Sequence, residues 1–156
     1  MEKIIITATN KGDIYKELLP QIKSVIGAES DVIANMANIC AIIKDGLKYF
    51  WVGFYIVKGE ELVLGPFQGP LACTRIKFGK GVCGTAWKSM KSITVANVDE
   101  FPGHIACSSL SKSEIVIPII RNKIVVGVLD IDSLDLNSFD DIDRKNLEEI
   151  VSYLVF

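Results

Sequence analysis

The sequence has one histidine, His104, and its four cysteines form no C-x-x-C pair. Zinc sites built on local motifs use close cysteine pairs with histidines, so no metal ligand is expected here. Neither sign of charge is in large excess: the formal net charge is −2, which leaves no basic footprint for nucleic acid or for an anionic membrane surface. Apolar runs such as "IVVGVL" fall far short of the ~20 residues that span a bilayer. The amino end, "MEKIIITATNKGD", has an apolar patch but no small-residue cleavage site, so a signal peptide is not expected. No repeat, low-complexity tract or Pro/Gly-rich linker divides the chain. These absences point to a cytoplasmic protein forming one domain over residues 1–156. They also raise a question about the cysteines, because a reducing compartment does not favour structural disulfides. Redox chemistry is the use that remains.

The composition is that of an ordinary globule, 49% hydrophobic and 23% charged. "DIYKELLPQIKSVIGA" has helical spacing at Ile14, Leu18, Ile22 and Val25, with a kink expected at Pro20. Ser30 reads as the N-cap of a second helix, whose apolar stripe is Ile33, Met36, Ala37, Cys40, Ile43 and Leu47. Cys40 on that stripe reads as a core residue. "YFWVGFYIV" and "ELVLGPF" are strands across a turn at "KGE". "GVCGTAWKSM" is a short helix and "SITVANV" a further strand. "EIVIPII" and "IVVGVLDID" flank "RNK" as a hairpin. The closing helix has Asp140 as N-cap, Asp143 in a capping-box position, and Ile142, Leu147, Ile150, Val151 and Leu154 as its apolar face. The order predicts an α+β fold: an antiparallel sheet of about six strands covered by helices from the N- and C-terminal segments.

Five stretches carry chemistry. "GKGVCG" matches G-x-G-x-x-G but lacks the parallel βαβ setting of a dinucleotide site, so its glycines read as a tight turn before a helix whose start favours a Cys83 thiolate. In "WVGFY", strand alternation turns Val52, Phe54 and Ile56 to one face and Trp51, Gly53 and Tyr55 to the other. The second set is either an aromatic-walled gap over a glycine or a second buried face. In "GVLDID", Asp130 and Asp132 share a face ~7 Å apart, with Glu114 on the neighbouring strand. Like charges there repel unless a cation intervenes or one is protonated; a ligand ammonium would serve, and a solvated strand end is the alternative. Lastly, Cys73 in "GPLACTRI" and Cys107 in "FPGHIACSSLSKSEIVIP" lie in turn-rich, polar segments. They suit a redox couple in which one thiol is oxidised and the other resolves it, unless the exposure is incidental.

Together, "FPGHIACSSLSKSEIVIP", "WVGFY", "GPFQGPLACTRI", "GKGVCGTAW" and "GVLDIDS" closely resemble the free methionine-(R)-sulfoxide reductases, stand-alone GAF-domain enzymes. The likeness runs from about residue 30 to the last helix. It implies a GAF-like fold and reduction of the free amino acid without metal or organic cofactor. It implies that Cys107 attacks the sulfoxide, that Cys73 forms the disulfide with it, and that Cys83 has a supporting or alternative redox role. It makes Trp51 and Tyr55 walls of the substrate pocket and Glu114, Asp130 and Asp132 its acidic lining. Thioredoxin or a similar dithiol is the implied reductant, and the resemblance allows a homodimer. A non-catalytic GAF sensor of small molecules or redox state is the rival expectation.

Overall fold

The computed structural model describes residues 3–105 and 108–156. Helix α1 (Lys11–Gly27) is capped by Asn10, and α2 (Val32–Leu47) by Asp31. The cap of α2 falls one residue later than Ser30 because the Asp31 carboxylate accepts from Ala34 N at 2.9 Å, satisfying an amide that has no partner within the helix. Helix α1 runs on unbroken through Pro20.

Six antiparallel strands follow in two groups: β1 (Trp51–Lys58), β2 (Glu61–Gln68) and β3 (Arg75–Lys77), then β4 (Ile93–Val95), β5 (Ser113–Arg121) and β6 (Ile124–Ser133). Their order across the sheet is β3-β2-β1-β6-β5-β4. Helix α3 (Gly81–Ser89) lies between β3 and β4 in the chain, and α4 (Asp141–Ser152) closes it. The four helices and five of the strands follow the order the hydrophobic periodicity predicts; β3 is an addition, three residues where the turn-rich "GPLACTRI" segment ends that pair with β2. The β5–β6 hairpin turns on Asn122 and Lys123, both with positive φ, the geometry that matches the twist of a two-residue hairpin.

The sheet separates two cores. On one face α1, α2 and α4 bury Leu18, Ile22, Met36, Ile43 and Leu147 against Val52 and Phe54. Cys40 lies in this core, as its stripe position predicts. Ile33 and Ala37 do not: they are exposed, roughly 60–100° round the helix from Met36 at about 100° per residue. Ile142 of α4 is likewise exposed. Beneath this core, Asp143 is fully buried and accepts from Tyr15 Oη at 3.0 Å and Tyr49 Oη at 2.6 Å. Lys11 Nζ also reaches it, and the Asp140 amide completes the expected capping box at 2.9 Å.

The opposite face buries Trp51, Tyr55, Val116 and Val128 against Val82, Cys83 and Ala86 of α3. The alternation of β1 thus divides its residues between two cores, as period 2 requires. Helix α3 approaches closely at Gly84, where a Cβ would stand 2.5 Å from the Lys77 carbonyl oxygen. Gly79 donates back to Gly84 O at 3.0 Å with φ at +72°. The glycines of "GKGVCG" therefore serve a turn and a tight helix contact.

Candidate active site

Strand register sets three carboxylates side by side. Asp132 of β6 stands opposite both Trp51 of β1 and Glu114 of β5, while Asp130 stands opposite Gly53 and Val116. All five side-chain positions besides glycine share the α3 face of the sheet by the period-2 rule. The first turn of α3 then lowers Cys83 onto them, so that its Sγ and one oxygen each of Glu114 and Asp130 lie within 4.8 Å of one another. These groups line a cleft with Trp51, Tyr55, Asp132, Leu71, His104 and Ser111.

Among the described residues, no lysine or arginine lines the cleft. Burial first, then Asp130 and Asp132, raises the Glu114 carboxyl well above the carboxylate range. Burial and the Asp132 charge do the same to Asp130, opposed by hydrogen bonds from Cys83 and Glu114. Asp132 is pushed up to about 6 by burial, moderated by a hydrogen bond from Ser111. His104 Nε2 lies 3.8 Å from a Glu114 oxygen, but burial lowers its pKa, with Asp99 opposing, so it is a poor counter-charge near neutral pH. Asp130 Oδ1 is buried without a settled donor, since the neighbours that reach this carboxyl are themselves acids. Among the described residues, these clustered acids face no fixed cation, and crowding keeps their protons on.

Of the two readings of the Trp51–Gly53–Tyr55 face, the structure takes the second buried face rather than the gap. The Trp51 indole lies over Gly53, where a Cβ would come within 2.2 Å of its Cη2. Its centroid is 6.1 Å from the Tyr55 ring and 5.5 Å from Phe67. The glycine thus makes room for a tryptophan, and the two rings form one continuous wall. Both are pinned to the segment before β3: Trp51 Nε1 donates to Pro70 O at 3.1 Å, and Tyr55 Oη donates to Cys73 O at 2.9 Å.

The cysteines separate by environment. Cys83 is a free, buried thiol, and the expected preference for thiolate at the helix start is reversed: burial, then Asp130 and Glu114, push its pKa up. The carboxylates stand nearer than the helix dipole can offset. Cys73 is half-buried and disulfide-bonded; it is not itself a cleft-lining residue, although Leu71 and Ala72 before it are. Cys107 lies outside the described residues.

The GAF domain family model matches residues 30–156. GAF domain-containing protein A of Dictyostelium discoideum is 54% identical over 98% of both chains. The free methionine-R-sulfoxide reductase of Escherichia coli is 40% identical over 93% of this chain and 88% of its own. The structure of free methionine-R-sulfoxide reductase from Neisseria meningitidis in complex with its substrate superimposes with a TM-score of 0.97 at 51% identity, covering 99% of this chain and 93% of that one. The chain belongs to the free methionine-R-sulfoxide reductase family of GAF domains.

In this reductase-family chain the cleft also contains residues to which the sequence pattern did not point. Ser111, buried ahead of β5, bonds to Asp132, and Phe50, Val82 and Ile105 add apolar wall. Ser111 stands among several serines in its segment, and only the fold selects the one that faces Asp132. The raised Asp132 pKa has a consequence for stability. A carboxyl whose folded-state pKa is raised from 3.8 to about 6 favours the fold while protonated, so its contribution is lost as pH climbs through that window. Ligand-free protein is expected to lose up to about 3 kcal/mol from this group between about pH 4 and about pH 7. Urea unfolding of wild type and Asp132→Asn across the window checks this; an identical pH slope in both proteins contradicts it.

Proposed function

We propose that this chain reduces free L-methionine-(R)-sulfoxide to L-methionine. The observation that carries the reading is the carboxylate trio beside an aromatic wall, Glu114 and Asp130 buried and Asp132 half-buried, with no lysine or arginine among the described cleft residues. An amino acid's α-ammonium supplies the missing charge. A peptide-bound sulfoxide has no free ammonium and would leave the acids unpaired, a cost of about 1–3 kcal/mol or more. The substrate complex of the Neisseria meningitidis relative supports the same reading.

In the proposed cycle Trp51 and Tyr55 wall the sulfoxide end while Glu114, Asp130 and Asp132 take the ammonium and supply a proton. A carboxyl kept protonated by its neighbours is suited to that task. The Cys107 thiolate attacks the sulfoxide sulfur, the oxygen passes to Cys107 with a proton, and methionine leaves. Cys107 is then a sulfenic acid, which the Cys73 thiol converts to a disulfide with loss of water. Thioredoxin or a similar dithiol restores both thiols by exchange. Cys83, raised and buried, stays in a supporting role. Residues 1–156 act as one unit in the cytoplasm. Among the described residues no helix is long and apolar enough to cross a membrane.

Mixing the reduced protein with free L-methionine-(R)-sulfoxide, then counting thiols and methionine, tests the reading. About two thiols should disappear for each methionine formed, and an N-acetylated sulfoxide should react far more slowly. An unchanged thiol count would sink the proposal.

A further inference from the structure

The spacing of cysteine and histidine in the sequence contains no metal motif, yet the fold assembles a ligand set from three separate elements. Cys83 of α3, Glu114 of β5 and Asp130 of β6 bring one sulfur and two carboxylate oxygens within 4.8 Å of one another, all buried. A tetrahedral cation with metal–sulfur and metal–oxygen bonds of about 2.3 and 2.1 Å holds its ligands ~3.5 Å apart, so the set must contract by only about an ångström. A second observation points to a ligand. Asp130 is 7% exposed, faces the cleft, and keeps Oδ1 without a hydrogen-bond partner among the described residues. The sole histidine stands at the edge of the set, its Nε2 3.8 Å from Glu114.

We propose that the substrate-free pocket is also a site for one borderline-soft divalent cation of the Zn²⁺ class, held by the Cys83 sulfur, Glu114 and Asp130. Mixed sulfur and oxygen donors suit Zn²⁺ or Cd²⁺ and disfavour Mg²⁺, which takes oxygen ligands in octahedral geometry. Binding converts the thiol to thiolate and releases its proton, with any proton held by the two carboxyls, to solvent. The cation takes the place assigned above to the substrate ammonium, so metal and methionine sulfoxide exclude one another; that clause alone rests on the proposed function.

Cd²⁺ titration of the disulfide-bonded protein, without added reductant, tests the site. Cys83 is then the free thiol of the cleft, while Cys40 is buried on the other side of the sheet. The expected result is an ultraviolet thiolate-to-cadmium band saturating at one ion per chain. Zn²⁺ should abolish the band by competition and excess Mg²⁺ should not. Cys83→Ser should remove it and Asp130→Asn should weaken affinity at least tenfold. Proton release by wild-type protein in weak buffer, at least one per ion, gives a readout that depends on no variant. No band, a band surviving in Cys83→Ser, or no proton release overturns the site. Free L-methionine-(R)-sulfoxide should raise the apparent Kd for Cd²⁺; an unchanged Kd overturns mutual exclusion while the metal site stands, and leaves turnover to be judged by the thiol count.

Discussion

Cys107→Ser is expected to lower methionine sulfoxide reduction by at least about 10³-fold, to the limit of detection. A thiol has a few per cent of thiolate near pH 7 and can accept the sulfoxide oxygen, whereas a serine hydroxyl has negligible alkoxide and no sulfenic state to pass on. The loss is therefore one of chemistry as well as of nucleophilicity. Cys83 is a poor substitute because burial and two neighbouring carboxylates hold its proton on. Steady-state assay of the purified variant, with a single-turnover thiol count, measures the effect. Activity within tenfold of wild type would move the attack to Cys83. Binding of the substrate should survive the change, since the acidic trio and the aromatic wall are untouched, and a retained Kd would separate lost chemistry from a lost pocket.

The largest effect on stability is expected at Asp143, on the other side of the sheet. Its fully buried carboxylate accepts from Tyr15 and Tyr49 hydroxyls, the Asp140 amide and Lys11. It thereby ties α1, the entry to β1 and α4 at a single point. Asp143→Ala leaves two buried hydroxyls without their acceptor and takes one of three acceptors from Lys11, which keeps Ser138 O and Asp140, so a loss of about 3–5 kcal/mol is expected. Asp143→Asn, which keeps one acceptor oxygen, should cost less than half of that. Urea unfolding of the three proteins near pH 7 checks the ranking. A loss below about 1 kcal/mol for the alanine variant would mean the hydroxyls find other partners or water. Because the network lies on the helical core, the folded fraction of Asp143→Asn should retain wild-type substrate affinity.

Much of the fold was legible because its signals are local. The capping box at Asp140 and Asp143, the alternation through "WVGFY" and the two-residue turn at Asn122 and Lys123 each depend on a few neighbouring residues. The failures are also physical. Asp31 replaced Ser30 as a cap because a carboxylate one residue on reached the same kind of amide. Residue type puts Ile33, Ala37 and Ile142 on apolar faces, whereas burial is decided by which side of a helix meets the sheet, and all three are exposed. Of the two readings open for the aromatic pair, a gap over Gly53 or a second buried face, the fold takes the buried face. Backbone spacing describes where Cα atoms stand and not how far an indole leans, and Gly53 is where the Trp51 ring comes to rest.

The chemistry divides along the same line. Sequence alone determined the residue types of the site, the β5–β6 hairpin that brings Glu114 beside "DID" and the family the chain resembles, since motifs and periodicities are properties of short stretches. The tertiary structure alone decided that Glu114 and Asp132 are cross-strand partners, that Ser111 is the serine bonded to Asp132, and that Cys83 is lowered among acids that raise its pKa. Those outcomes depend on register and burial between residues tens of positions apart. Desolvation and charge repulsion act through space, and only the folded chain sets those distances.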